Sequence, residues 1–208
     1  VGNTAYMSVQ EAIGHTSMKN NTVTLLTDTT ESVTVTPPKV VRGVTLELNG
    51  HALNASNTTA ITVPASMQLT VTGLGTVVGG DNPAIDCRGA LRIQGGNFTS
   101  NTTLMRFAET SGTSAEASIS AGTFTAPTLI GMLDDAEHLG YVSIRGGEYH
   151  GAIPAGLDAL VLMGGSFSTT ENLTPYLVDV AGLIPDSDDG MFNISELAIS
   201  SDYPTVEL

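Results

Sequence analysis

Leu91-Arg-Ile-Gln-Gly-Gly-Asn-Phe98 is the stretch whose reading decides the fold. Two apolar residues stand two apart, a glycine follows a small residue, and an aromatic comes two positions after that glycine. The same phrase returns as Ala117-Ser-Ile-Ser-Ala-Gly-Thr-Phe124, Val142-Ser-Ile-Arg-Gly-Gly-Glu-Tyr149 and Leu160-Val-Leu-Met-Gly-Gly-Ser-Phe167. A repeat of this kind sets the architecture before any local propensity does.

Working outward, the remainder of the chain from Thr22 onward is strands and corners. Thr22-Val-Thr-Leu-Leu26, Ser32-Val-Thr-Val35, Val44-Thr-Leu-Glu-Leu48, Ala60-Ile-Thr-Val63, Leu69-Thr-Val-Thr72 and Gly75-Thr-Val-Val78 alternate apolar with polar residues. That is the period of a strand with one buried face. Each run stops at Gly, Pro, Asn or Asp, residues with a turn preference. Marking the second apolar residue of each leading strand gives Leu25, Leu46, Val71, Ile93, Ile119, Ile144 and Leu162. The spacing runs from 18 residues (Ile144 to Leu162) to 26 (Ile93 to Ile119). A cycle of that length, with two or three short strands in it, fits one coil of a β-solenoid. Parallel stacking predicts one inward ladder from Leu46 to Leu162.

On this reading Gly96, Gly122, Gly147 and Gly165 turn the coil corners with φ > 0, which glycine accepts without strain. Phe98, Phe124, Tyr149 and Phe167 then point inward and stack from coil to coil. The alternative is four β-hairpins with Gly-Gly turns; against it, the strands expected after each turn are short or interrupted.

Composition agrees with thin β-layers. The 208 residues are 41% hydrophobic but only 5% aromatic, and 23 glycines supply corners. Seven basic against 21 acidic residues leave a net charge of −14. Phosphate binding needs a basic stripe, so nucleic acid is excluded as a partner, and an anionic membrane surface is disfavoured. No apolar stretch approaches the roughly 20 residues a spanning helix needs, so no membrane insertion is expected. The single cysteine, Cys87, permits no intrachain disulfide and reads as a small core residue. No signal peptide is visible and the chain starts on Val1, as a mature chain or an excised module would.

The two ends differ from the middle. Val1 to Tyr6 reads as a short strand. Ser8-Val-Gln-Glu11 is a capping-box pattern, with Val9, Ala12 and Ile13 at helical spacing behind it, a short helix that lids the first coil. Asn101 to Glu116 and Pro127 to Leu139 read as loops longer than a corner needs, where binding usually sits. After Phe167 the rhythm stops; residues 176–194 read as a closing unit, with Asp186-Ser-Asp-Asp-Gly190 as the turn between two strands. The expected organisation is a single elongated domain over 1–208: an N-terminal cap (1–21), coils (22–170) and a C-terminal closing unit (171–208).

Val1-Gly-Asn-Thr-Ala-Tyr6, Ser8-Val-Gln-Glu-Ala-Ile13, Val23-Thr-Leu-Leu-Thr-Asp28, Thr45-Leu-Glu-Leu-Asn-Gly-His51, the glycine–aromatic phrases and the ending with its Asp-Asp-Gly turn together resemble a module of large surface proteins from gut Gram-positive bacteria. The resemblance covers nearly the whole chain. It implies an all-β, right-handed parallel β-helix of the pectate-lyase-like kind, in a secreted or cell-surface protein; the seven spaced marks from Leu25 to Leu162 give it about seven coils. It implies no activity, because most such modules have no assigned catalytic role.

β-Helix enzymes acting on acidic polysaccharides use clustered Asp residues with calcium and a basic residue, or paired carboxylates. Asp134, Asp135, Glu137 and His138, with Arg145 nearby in sequence, form the best local cluster, and read as a solvated loop tip. Glu148 and His150 flank inward-facing Tyr149 and should point outward. Arg88, Arg92 and Arg145 would have to share a face to hold an anionic substrate. Asp186, Asp188 and Asp189 miss the calcium-loop pattern because Gly190 occupies the third ligand position. His15, His51, His138 and His150 are too scattered for a zinc site. Asn57-Thr-Thr59 and similar triplets are glycan acceptors only in a eukaryotic secretory setting. No catalytic, cofactor-binding or metal-binding residues are therefore assigned, and no cofactor is expected. The expected function is a non-catalytic structural or adhesive module, part of a larger chain, that presents loops to glycans or proteins; the alternative is a polysaccharide lyase or glycoside hydrolase working along one outer face.

Overall fold

The computed structural model describes residues 1–2, 4–109, 115–178, 181–185 and 190–196. The chain winds as a parallel β-solenoid with three faces. The first face stacks Thr22–Thr24, Gly43–Glu47, Gln68–Thr72, the leading parts of Ala90–Thr99 and Glu116–Met132, Tyr141–Ile144 and Leu160–Leu162. The second stacks Thr29–Thr30, Ala52–Asn54, Thr76–Val78, later parts of the same two long strands, Glu148–Ala152 and Ser166–Phe167. The third stacks Val33–Thr34, Ile61–Val63, Ile85–Cys87, Thr103–Phe107 and the end of Glu116–Met132. All of these pairings are parallel, which removes the hairpin alternative: Ala90–Thr99 and Glu116–Met132 run through the glycine corner without reversing.

The register matches the expected ladder from Leu46 through Val71, Ile93, Ile119 and Ile144 to Leu162. Its first rung is Val23, not Leu25, because Thr22–Thr24 pairs with Thr45–Glu47. Leu25 is also buried, but at the corner two residues on. The expected seven coils become seven rungs on the first face and five complete three-sided turns among the described residues. The 18 residues from Ile144 to Leu162 hold two strands and their corners, and a third strand has no chain left to form it.

Inside, like stacks on like. The second face lines up Leu53, Val77, Phe98, Phe124, Tyr149 and Phe167. The four rings stack with centroids 5.3, 4.7 and 4.6 Å apart and planes within 12° of parallel. All four are fully buried, and each burial contributes on the order of 2 kcal/mol. The corner glycine makes room for this column. Gly147 has φ +104°, and a Cβ there would lie 2.9 Å from the Phe124 ring and 3.0 Å from the Gly122 carbonyl. A side chain is thus refused both by the backbone conformation and by the ring below.

The loops expected at Asn101–Glu116 and Pro127–Leu139 each contain a third-face strand, Thr103–Phe107 and the end of Glu116–Met132. Leu104 and Met105 are both buried, as are Leu129 and Ile130, so neither run alternates cleanly. Two adjacent inward residues at a corner erase the period that marks a strand in sequence. What lies outside the strands is shorter: 108–115, of which 110–114 fall outside the described residues, and 133–140.

At the start, Val1–Tyr6 forms no strand among its described residues. Val1 and Thr4 exchange reciprocal hydrogen bonds and Gly2 sits at φ +56°, which closes the segment into a turn. The helix forms as expected at Val9–Gly14, capped by the Ser8 hydroxyl, which accepts from Glu11 N–H at 3.0 Å. Glu11 reaches back to Met7 N–H instead of Ser8. Glu31 from the first coil adds a cap the sequence did not reveal, accepting from Val9 and Gln10 N–H at 2.8 and 3.2 Å. Val9, Ala12 and Ile13 are buried on the core. At the other end Ala181–Pro185 and Phe192–Glu196 pair antiparallel, and the latter adds antiparallel to Ser166–Phe167. The Asp186–Asp189 turn, with its three aspartates, lies outside the described residues.

Candidate functional surface

Because alternate residues point inward, the function must be read from the outward columns. On the second face one column runs Ala52, Thr76, Asn97, Thr123, Glu148, Ser166, and its neighbour runs Thr30, Asn54, Val78, Thr99, Thr125, His150. On the first face one runs Thr22, Thr45, Thr70, Arg92, Ser118, Ser143, Val161. Thr, Ser and Asn predominate in these columns at the rung spacing of about 4.8 Å; Ser143 is buried and donates its hydroxyl to the Ala117 carbonyl, and Arg92, Glu148 and His150 interrupt the otherwise uncharged series. Glu148 and His150 point outward on either side of Tyr149, as expected, and bond to each other at 2.5 Å.

The acidic cluster does not converge. Asp134 turns to Arg106 at 3.7 Å, Asp135 to Arg88 at 2.5 Å, and His138 to Asp158 at 2.7 Å. Asp158 also accepts from Leu139 N–H at 3.1 Å. The His138 bond, then this amide, hold Asp158 below the ordinary carboxylate range; Asp158 in turn raises His138. Segment 133–138 is thus a strap laid over the third face, in which Asp134, Asp135 and His138 turn to different partners.

Beneath it lies the least exposed charge pair, missed in the sequence. Asp86 and Arg106 stand on adjacent rungs, and both guanidinium bonds are 2.8 Å. The Thr59 hydroxyl donates to the same carboxylate at 2.7 Å. The signal was present: Asp86 and Arg106 are the polar residues of two otherwise apolar runs one coil apart.

The three arginines expected to mark a substrate face do not share one. Arg88 follows the third-face strand Ile85–Cys87 and is bound to Asp135. Arg92 and Arg145 both project from the first face, but two rungs apart and in different columns. Neither forms an ion pair among the described residues. The histidines stay apart: His15 lies against the Tyr6 ring, tilted by 31°, and His51 sits 3.3 Å from Asp28. Among the described residues no three His, Cys, Asp or Glu side chains gather to hold a metal, and no helix is long and apolar enough to cross a membrane. Cys87 is wholly buried and burial pushes its thiol up to about 12, so it is no nucleophile at neutral pH.

A groove of about 340 Å³ lies at the N-terminal end of the solenoid, off the flanks. One wall is the opening segment with Val1, Tyr6 and Met7; the other is the consecutive run Thr22–Thr27. No family model matches the chain, and comparison with curated proteins and with solved structures likewise returned no match.

Proposed function

We propose that the chain is a non-catalytic module of a secreted or cell-surface bacterial protein, a stiff spacer whose flat faces present hydroxyl and amide groups to glycans or proteins. The observation that carries this reading is the pair of outward columns on the second face, Thr76 to Ser166 and Thr30 to His150. A rigid array of short polar groups loses little side-chain entropy on contact and suits an extended ligand better than a small one. The pairing of Asp135 with Arg88 and of His138 with Asp158 supports it too, since these groups turn to separate partners and do not converge as a general acid and base would.

The test is direct. Incubated with acidic and neutral polysaccharides, the chain should release neither reducing nor unsaturated ends. On a glycan array, any retained glycan should be lost when Thr123 and Thr125 are both replaced by Lys. Sugar release would overturn the reading in favour of a lyase or hydrolase working along an outer face.

A further inference from the structure

The outward side of the first face changes character over its last three rungs. Tyr141 and Met163 are 42% and 36% exposed there, with Val161 half-buried beside them. Glu116 stands next to Tyr141, on the fifth rung, and Arg145 stands next to Met163, on the sixth. Both charged side chains are exposed. Neither has a hydrogen-bond or ion-pair partner for its side chain among the described residues. In a chain with 21 acidic and seven basic residues, an arginine without a carboxylate is open to one from outside.

The register fixes how these groups lie. Glu116 pairs with Tyr141, and Arg145 comes four positions after Tyr141. The midpoint between Glu116 and Arg145 therefore falls on the column of Ser118 and Ser143, between their two rungs. Consider a two-fold axis through that midpoint, lying in the plane of contact and running roughly along the solenoid. It sets Glu116 of one copy against Arg145 of a second copy, and Arg145 against Glu116. The same rotation sets Tyr141 against Met163 of the second copy, and Met163 against Tyr141. A surface complementary to itself under one rotation is what an isologous dimer requires. We infer that the last rungs of the first face form a two-fold contact between two copies of this chain.

Charge favours a second copy here. The outward residues of the fourth to sixth rungs on this face include Arg92, Arg145 and Glu116 as their only charges, while the chain as a whole carries −14. No like charges meet under the rotation, since Arg92 comes opposite Gln94 of the second copy. Tyr, Met and Arg are the side chains that interfaces favour, and a thioether beside an aromatic ring is a favourable contact. Ser118 and Ser143 lie at the axis, short enough to let the two sheets approach. The Ser143 hydroxyl already donates to the Ala117 carbonyl, so it needs no water when the contact closes. Three rungs of five residues cover roughly 200–300 Å² per copy, below the about 800 Å² of a standard interface. The dimer is therefore weak, with a dissociation constant on the order of 0.1–1 mM. The contact is separate from the second-face columns and independent of what those bind.

The test is the mass of the 208-residue chain by sedimentation or light scattering, from micromolar to millimolar concentration. The expected result is a rise from 21.4 kDa towards twice that mass and no further, because a two-fold contact closes on itself. Arg145→Glu and Glu116→Arg each set like charges against one another, and each should weaken the dimer by at least about tenfold. An equimolar mixture of these two variants should dimerise, since every facing pair is then opposite in charge. The double variant Glu116→Arg/Arg145→Glu should dimerise by itself for the same reason. Both positions are exposed, so thermal melts of the variants should match that of the unaltered chain. A monomer at every concentration overturns the inference, as does a dimer indifferent to the single reversals. A mixture of the two single variants that stays monomeric also overturns it. So does growth past the dimer, which would need an open head-to-tail contact.

Discussion

Phe124 and Tyr149 lie one above the other on adjacent rungs, ring centroids 4.7 Å apart and planes 10° from parallel. The Tyr149 hydroxyl donates to the Gly146 carbonyl at 2.8 Å, which satisfies it inside the core. Burial raises its pKa well above the ordinary tyrosine value. The other three copies carry Phe here, so Tyr149→Phe should cost about 1 kcal/mol, the net worth of one hydrogen bond. Phe124→Ala opens a cavity between two rings and should cost about 4 kcal/mol. Urea titrations of both variants check the ratio; equal costs would mean the column is not a continuous packed stack.

Gly122 faces the same column from the corner. Its φ is +127°, and a Cβ would meet the Gly96 carbonyl at 2.8 Å and the Phe124 ring at 2.9 Å. Gly122→Ala should therefore destabilise by about 3 kcal/mol, from backbone strain and overpacking together. Gly50, also at positive φ (+82°), has nothing within 4 Å of an added Cβ. Gly50→Ala should cost about 1 kcal/mol, from conformation alone. Comparing the two midpoints separates the packing role of the corner glycine from its conformational one.

How much of this was legible follows from which contacts are periodic. The inward ladder and the aromatic column repeat every coil, so Ile93, Ile119 and Ile144 announce their neighbours, as do Phe98 and Phe124. The third face was harder. Leu104-Met105 and Leu129-Ile130 turn a corner with two inward residues in a row, which hid two strands inside apparent loops. The charge pairs were least legible, because Arg145 is nearer to Asp134 in sequence than Arg106 is, and only the stacking decides for Arg106. The Glu31 cap on the helix is a contact across 22 residues and left no local sign.

The Asp86–Arg106 pair should be the one surface ion pair whose loss is felt. Their side chains are only 14% and 24% exposed, against 69% and 31% for Asp135 and Arg88. Arg106→Met leaves the Asp86 carboxylate with Thr59 as its remaining side-chain partner, and should cost about 2 kcal/mol. Arg88→Met should cost less than about 1 kcal/mol, since water replaces the exposed contact. Thermal melts of the two variants, run side by side, should show a clear shift for Arg106 and little for Arg88.

His138 and Asp158 give the chain a pH-dependent clasp. The hydrogen bond and charge of Asp158, with smaller contributions from Glu109 and Glu137, hold the His138 pKa above its ordinary 6.5. A raised histidine contributes stability in full below that value and loses it as pH climbs through the folded pKa. Asp158, held below 3.8, contributes above that value and loses it as pH falls through its own lowered pKa. The clasp is therefore closed between the two and opens on either side. An NMR titration of the His138 ring should give a pKa above 6.5, and Asp158→Asn should bring it back toward 6.5. An unchanged His138 pKa in that variant would mean that the bond does not persist in solution.

Cys87 offers a reporter of the solenoid opening. Its thiol is fully buried between Val63 and Phe107 in the third-face column, with its proton directed at the Gly89 carbonyl 3.3 Å away. A thiol held up at about 12 by burial has almost no thiolate at neutral pH, and no reagent reaches it while the rungs stay stacked. In native buffer a water-soluble maleimide should label Cys87 only at the rate at which the third face opens. The same reagent should label it at once in denaturant. Phe124→Ala weakens the shared core and should speed native labelling by about the factor its stability loss implies, provided that the whole stack opens as one unit. Labelling that ignores this substitution would mean that the third face opens by itself, ahead of the aromatic column.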